Sequence, residues 1–490
     1  MTGKNVLFIL SDEHSRAVLG CYGNDAVSTP HLDALAARGT RFTTGYCNSP
    51  ICIPSRASLA TGQYNHEIGY WDNAEPYDGA VPGWANHLSD AGHRVTSIGK
   101  LHFRDAQAPV GFESQILPMH VVEGKGDLHG LLRSPPRPRP GMRRLAEDLG
   151  PGWSSYAQYD ADIAEAACRW LRERAAAPDD KPWVGFVSFV CPHFPLIAPE
   201  RFFALYDPAR LPFPKGRTDS AVYDHPVVAA FRRYQNYDDY FRDEAHVRLA
   251  VASYYALVSY LDHNVGLVLQ ALEDSGLGDD TLVIYSSDHG DNLGTRGFWG
   301  KSLLFEESAG VPMILAGAGV PAGKVSATAV SLVDVAPTLY AATDPAVHTR
   351  EAPGLPGRSL LELAVAPDDP ERCAFAEYHA VGAITGCFML RRGRWKYLHY
   401  EGYAGQLFDL ESDPDELVDL AGQPACAAML GAMERQLREI VDPAAATARA
   451  FADQRRVIEA NGGEEGVLRR GEFPHTPAPG EAPSFFDAAS

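Results

Sequence analysis

The chain has 490 residues, 45% of them apolar, and 43 basic against 63 acidic side chains give a formal net charge of −20. That length can bury one large core, and the charge argues against a nucleic-acid or anionic membrane surface as the main target, because a polyanion is repelled except at local basic patches. An anionic small molecule would have to be met by a local cluster of cations and metal. The apolar run at residues 5–10 (NVLFIL) has only strand length, so neither a secretory leader nor a membrane span is expected. Eight cysteines at irregular spacing, with no CxxC pair, suit a reducing compartment better than a disulfide framework, and a cytoplasmic protein is expected.

Taken in chain order, short β-branched runs at residues 5–10, 94–98, 184–190 and 281–286 alternate with helical patterns over roughly the first 340 residues. This order predicts an α/β fold with a large, mostly parallel central sheet flanked by helices on both faces. The clearest helix spans 252–273, where Leu257, Leu261, Val265, Val268 and Leu272 recur by threes and fours and should lie on the sheet. A Pro- and Arg-rich stretch at 133–144 and the tail from Gly471 read as irregular, because proline denies backbone donors and helical dihedrals. The stretch at 133–144 reads as a solvated linker in preference to a lid. Beyond about 365 the pattern changes: residues 388–391 and 395–399 flank Arg392-Gly393-Arg394 as a hairpin, and a helix is expected next at 424–440. A catalytic unit at 1–365 and a smaller C-terminal α+β subdomain at 366–490 are expected.

The residues just past each strand carry the chemistry. The four runs lead into Ser11-Asp12-Glu13, Gly99-Lys100-Leu101-His102, Cys191-Pro192-His193 and Asp288-His289-Gly290. In an open α/β sheet the carboxyl ends of parallel strands share one edge, and ligands bind in the crevice there. Any one of these residues reads equally well as a helix cap, a turn former or a structural histidine. Four in succession point to a site. Asp12, Glu13, Asp288 and His289 offer oxygen donors and an imidazole suited to a divalent cation such as Ca²⁺, Mg²⁺ or Mn²⁺. Lys100, His102, His193 and Lys301 add positive charge and proton-transfer capacity, both of which a tetrahedral oxyanion needs.

Residues 52–62 (CIPSRASLATG) come after a loop rich in Asn, Ser and Pro and begin a predicted helix, whose amino end favours an anionic nucleophile or oxyanion. Read alone, Cys52 is as readily a small buried residue. Cys52-x-Pro54-Ser55-Arg56 with Thr61-Gly62, however, resembles the signature of the type I sulfatases, formylglycine-dependent members of the alkaline phosphatase superfamily. Thr29-Pro30-His31-Leu32-Asp33, Gly99-Lys100-Leu101-His102, Ser287-Asp288-His289-Gly290-Asp291 and Phe408-Asp409-Leu410 with Asp413-Pro414 are similar to further family segments, so the resemblance spans about residues 4–421. Cys47-Asn48-Ser49-Pro50, Asp72-Asn73-Ala74-Glu75, Lys100-Leu101-His102-Phe103 and Gln454-Arg455-Arg456 look like the choline sulfatase branch. Glu13 stands where the family usually has Asp or Gln, and the tail after Gly462 lacks the Trp-Asp segment of that branch.

The resemblance implies an alkaline-phosphatase-like fold and hydrolysis of an alkyl or aryl sulfate monoester, such as a choline sulfate-like small molecule. It implies that Cys52 becomes formylglycine through a formylglycine-generating enzyme and that the product assembles as a homo-oligomer. One divalent ion, Ca²⁺ first, would be held by Asp12, Glu13, residue 52, Asp288 and His289. The hydrated aldehyde, held by Arg56, attacks sulfur while Lys100 and Lys301 hold the sulfuryl oxygens. His193 protonates the departing alcohol, and His102 takes the proton of the second hydroxyl as sulfate leaves. The rival is a phosphonate monoester or phosphodiester hydrolase of the same superfamily, which has uncharged Tyr and Thr where this chain has Lys100 and His102. A catalytically silent binding protein on the same fold would be expected to have lost one of Cys52, Arg56, Lys100, His102 or Asp288.

Overall fold

The computed structural model describes residues 3–133, 139–178, 180–217, 224–472, 475–483 and 485. Of the predicted irregular stretch at 133–144, residues 134–138 lie outside the described residues, as do several positions of the tail.

An eight-stranded sheet organises the chain. Its strands are β1 (Asn5–Asp12), β2 (Gly39–Phe42), β3 (Arg94–Lys100), β4 (Ser114–Met119), β5 (Trp183–Pro192), β6 (Thr281–Ser287), β7 (Met313–Gly317) and β8 (Lys324–Ser326), in the spatial order β8-β2-β7-β6-β1-β5-β3-β4. β6, β1, β5, β3 and β4 pair in parallel, and β7 alone runs against its neighbours on both sides. The four strands read from the sequence are therefore β1, β3, β5 and β6, adjacent in the sheet and parallel, each one or more residues longer than predicted. Most of the extra length lies at the carboxyl ends, as with Ser11-Asp12, Gly99-Lys100 and Ser287, where apolar patterning stops signalling a strand.

β1 is buried on both faces, and its alternate residues enter two different cores. Leu7 and Ile9 join a core with helices α2 (Ser155–Ala176) and α3 (Glu244–Asp274). Val6, Phe8 and Leu10 join another with α1 (Cys52–Thr61) and α4 (Val335–Thr343). A strand covered on both faces reads as a continuous apolar run, which is why NVLFIL shows no alternation. In α3 the predicted stripe is wholly buried. The helix begins eight residues before the apolar pattern, where Asp243 caps it by accepting the His246 N–H.

A second, antiparallel sheet holds β9 (Cys373–Tyr378), β10 (Cys387–Arg392), β11 (Trp395–Tyr400) and β12 (Gln406–Asp409). β10 and β11 are the predicted hairpin, with Arg392 paired to Trp395 and Gly393 at φ 55° closing the turn. The predicted helix at 424–440 is α5 (Ala427–Ile440) after a short 3-10 turn. α6 (Pro443–Ala460) then carries the chain back to the main sheet, where Val457 and Ile458 pack on Leu128 and Leu131. From there the described tail residues pass over the carboxyl edge of the sheet, and Ala478 is buried in the α2/α3 core. Among the described residues no helix is long and apolar enough to cross a membrane, and the cysteines are free thiols.

Candidate active site

Because β1, β3, β5 and β6 are parallel and adjacent, their carboxyl ends bring Asp12, Lys100, His193, Asp288 and His289 to one edge. Two turns there are held in left-handed backbone, Glu13 at φ 69° and His102 at φ 58°, a conformation that costs a non-glycine residue about 1–3 kcal/mol. Tyr254 of α3 fixes the first, donating its hydroxyl to the Glu13 carbonyl and accepting the Ser15 N–H. The Met119 carbonyl fixes the second by accepting the His102 N–H at 2.8 Å.

α1 enters this edge with Cys52 as its first residue. Ile51, at the cap position, offers no side-chain acceptor, and the Asn73 side chain instead accepts the Ile53 N–H at 3.0 Å. One turn on, Arg56 is sealed between the acids: Nε donates to Asp288 Oδ2 at 2.8 Å and Nη2 to Asp12 Oδ2 at 3.2 Å. Its Nη1 holds the Lys100 carbonyl at 2.9 Å. Lys100 Nζ lies 2.5 Å from Asp12 Oδ2. Burial alone would raise the Asp12 carboxyl, but Lys100, His193, Arg56 and Lys301 together hold it well below the usual range.

One atom each of Asp12, Cys52, Asp288 and His289 lie within 4.8 Å of one another, all buried. The His289 Nδ1–H donates to the Gly290 carbonyl at 3.0 Å, which turns Nε2 toward Cys52 Sγ at 3.2 Å and Asp12 Oδ1 at 3.8 Å. Two carboxylates and an imidazole facing a common point fit a hard divalent cation. Glu13 belongs to a different group. Its carboxylate meets Lys301 Nζ at 3.1 Å and His193 Nε2 at 3.3 Å, and its Oε1 has no hydrogen-bond partner. Burial pushes the Glu13 carboxyl up to about 7, against the pull of Lys301.

Lys301 arrives from the loop after β6, with Nζ 3.3 Å from Cys52 Sγ and 2.7 Å from His193 Nε2. The His193 Nδ1–H is turned to the Phe194 carbonyl at 2.6 Å. Burial and the neighbouring Lys301 charge lower His193 well below the usual imidazole value, which suits its Nε2 to accept a hydrogen bond from Lys301. Burial, with Asp12, pushes the Cys52 thiol up to about 12.

Of the candidates read from the sequence, Glu13, Cys52, Lys100, His102, His193 and Lys301 line one cavity, and Asp12, Arg56, Asp288 and His289 are hydrogen-bonded to Cys52, to Lys100 or to one another behind it. Sequence reasoning missed the walls of that cavity: Tyr156, Gln235, Tyr237, Arg139, Met142 and Thr476 line it. Arg139 and Met142 lie in the stretch expected to be a solvated linker, yet both are buried. That expectation is overturned, because Arg139 is held by Asp127 and Glu472 and so folds its segment over the site. The tail from Gly471, expected to be merely irregular, supplies Glu472, His475 and Thr476 to the same cavity.

Residues 4–345 match the sulfatase family model, and residues 294–442 match the C-terminal domain model of N-sulphoglucosamine sulphohydrolase. The chain is similar to a choline-sulfatase of Rhizobium meliloti, 33% identical over 86% of this chain and 83% of that one. It is also similar to arylsulfatase K of Danio rerio, 29% identical over 89% of this chain and 84% of that one. Among solved structures it resembles the phosphonate monoester hydrolase of Agrobacterium radiobacter, with a TM-score of 0.72 at 24% identity, covering 89% of this chain and 95% of that one. A likeness at that identity speaks for the alkaline-phosphatase-like fold. The chain belongs to the sulfatase family and is a sulfuric ester hydrolase.

Proposed function

We propose that this hydrolase cleaves a small alkyl or aryl sulfate monoester, with choline sulfate-like compounds foremost. We propose also that its nucleophile is formylglycine made from Cys52 by a formylglycine-generating enzyme. The observation that carries this reading is the setting of Cys52, whose Sγ sits at the amino end of a buried helix, 3.2 Å from His289 and 3.3 Å from Lys301. Sγ stands in for an oxygen on the same carbon. Formylglycine supplies two oxygens there when hydrated, one to attack sulfur and one to expel sulfate, where a thiol has no second group.

Asp12, Asp288 and His289, with residue 52, would hold one divalent ion, Ca²⁺ by the hardness of the donors, and the ion would supply charge that lowers the proton affinity of the attacking oxygen. Glu13 is better suited to orienting Lys301 and His193 than to ligation. The carboxylates of Asp12, Asp288 and Glu13 are matched in number by Arg56, Lys100 and Lys301. A divalent ion would therefore leave the site cationic, as an anionic ester requires. Lys100 and Lys301 hold the sulfuryl oxygens, and the Lys301–His193 pair delivers its proton to the departing alcohol. His102 accepts the proton released as sulfate leaves.

The presence of Lys100 and His102 favours sulfate over a phosphonate monoester. The unpaired cysteines support a cytoplasmic setting, and the likeness to a choline-sulfatase supports a small-molecule ester as substrate. A panel of aryl sulfates, small alkyl sulfates including choline sulfate, and phosphonate monoesters, run on protein whose residue 52 has been read by mass spectrometry, tests the reading. A preference for the phosphonate monoester would overturn it.

A further inference from the structure

His102 differs from the other histidines of the site in having a partner that comes from the far end of the chain. Its Nε2 lies 2.8 Å from the Thr476 hydroxyl, and its buried Nδ1 has no hydrogen-bond partner. Both residues are buried and both line the cavity. Thr476 is itself held firmly: the Tyr156 hydroxyl donates to its carbonyl, and the ring of His475 meets Tyr156 and Phe194 edge-on. On one side Glu472 is tied to Arg139 at 2.6 Å, and on the other Ala478 is sunk in the main core. The tail is anchored on both sides of the one hydroxyl that reaches the imidazole.

The hydrogen bond made by one ring nitrogen sets which nitrogen of a histidine carries the proton. The Thr476 hydroxyl can donate or accept, but a proton on Nδ1 would be buried without an acceptor, so the surroundings favour an Nε2–H donating to Thr476 Oγ, with the lone pair on Nδ1. We propose that Thr476 is a positioning residue of the active site, whose hydroxyl fixes the orientation and tautomer of His102 so that Nδ1 is the nitrogen that accepts a proton during turnover. The carboxyl-terminal segment is then a working part of the catalytic centre. This rests on the reading that His102 moves a proton in sulfate ester hydrolysis.

The test pairs Thr476→Val, which keeps the shape and removes the hydroxyl, with Thr476→Ser, which keeps the hydroxyl. In ¹⁵N-histidine-labelled protein, the His102 imidazole signals are assigned by their loss in His102→Asn. Thr476→Val should shift those signals away from the Nε2–H tautomer and lower kcat on the order of 10-fold or more, as a misplaced catalytic group does, with KM little changed. Thr476→Ser should restore both. The proposal is overturned if Thr476→Val leaves the signals in place, if it shifts them without lowering kcat, or if Thr476→Ser is as impaired as Thr476→Val. Because the NMR arm does not depend on turnover, a tautomer shift in protein that fails to hydrolyse any sulfate ester would refute the functional reading and leave the positioning intact.

Discussion

Replacing His193 by alanine should separate good from poor leaving groups. His193 Nε2 lies 2.7 Å from Lys301 Nζ and its Nδ1–H is committed to the Phe194 carbonyl, so a proton that this imidazole passes to substrate must travel through Nε2, beside Lys301. An alkyl alcohol is a poor leaving group and needs that proton as the ester bond breaks, whereas a nitrophenolate leaves without it. General acid catalysis contributes about 10²- to 10⁴-fold, roughly 3–5 kcal/mol of barrier. His193→Ala should therefore lose about that factor in kcat/KM on an alkyl sulfate and far less on 4-nitrophenyl sulfate. Lys301 also touches the nucleophile, 3.3 Å from Sγ, so Lys301→Met should slow both substrates. The assay is initial-rate kinetics on a series of sulfate esters of graded leaving-group acidity. Equal losses across the series in His193→Ala would refute the assignment of the departing proton to this pair.

Other consequences are open to direct measurement. Removing divalent cations should abolish turnover, and adding Ca²⁺ back should raise Tm in wild type but not in Asp288→Asn, by about 2.7 kcal/mol of stability at one hundred times Kd. Replacing Lys100 and His102 by Tyr and Thr should reduce sulfatase kcat/KM on the order of 10²-fold or more while sparing any phosphonate or phosphodiester activity; mutants that keep their sulfatase activity would contradict the role given to these residues. Away from the site, burial would raise the Glu377 carboxyl, but hydrogen bonds from His379 and His66 bring it down to about 2 from an ordinary 4.5. A lowered carboxyl contributes stability that is complete above the unfolded value and is lost as pH falls toward the folded one. The Tm difference between wild type and Glu377→Gln should thus be full above pH 4.5 and shrink between 4.5 and 2.

The candidate site was legible in the sequence where its members lie next to a strong local signal. Asp12, Lys100, His193 and Asp288 close strands whose apolar runs are unmistakable, and the parallel sheet turns that one-dimensional fact into shared space. Cys52 and Arg56 sit one helical turn apart, so they face the same acids. The cavity walls had no such signal. Arg139, Tyr237 and Thr476 lie in segments without periodicity, and what holds them is pairing with residues hundreds of positions away, as in Arg139 with Glu472 and Thr476 with His102. Glu13 follows Asp12 directly in sequence, yet with its left-handed backbone its carboxylate meets Lys301 and His193, a contact that adjacency to Asp12 does not reveal.

Catalysis through formylglycine at position 52 is tested most directly by measuring turnover against the aldehyde content of residue 52 across preparations made with and without the modifying enzyme. The kcat per total enzyme on a sulfate monoester should rise in proportion to the aldehyde fraction and extrapolate to zero when that fraction is zero. Undiminished sulfatase turnover in protein carrying only the Cys52 thiol would contradict the mechanism.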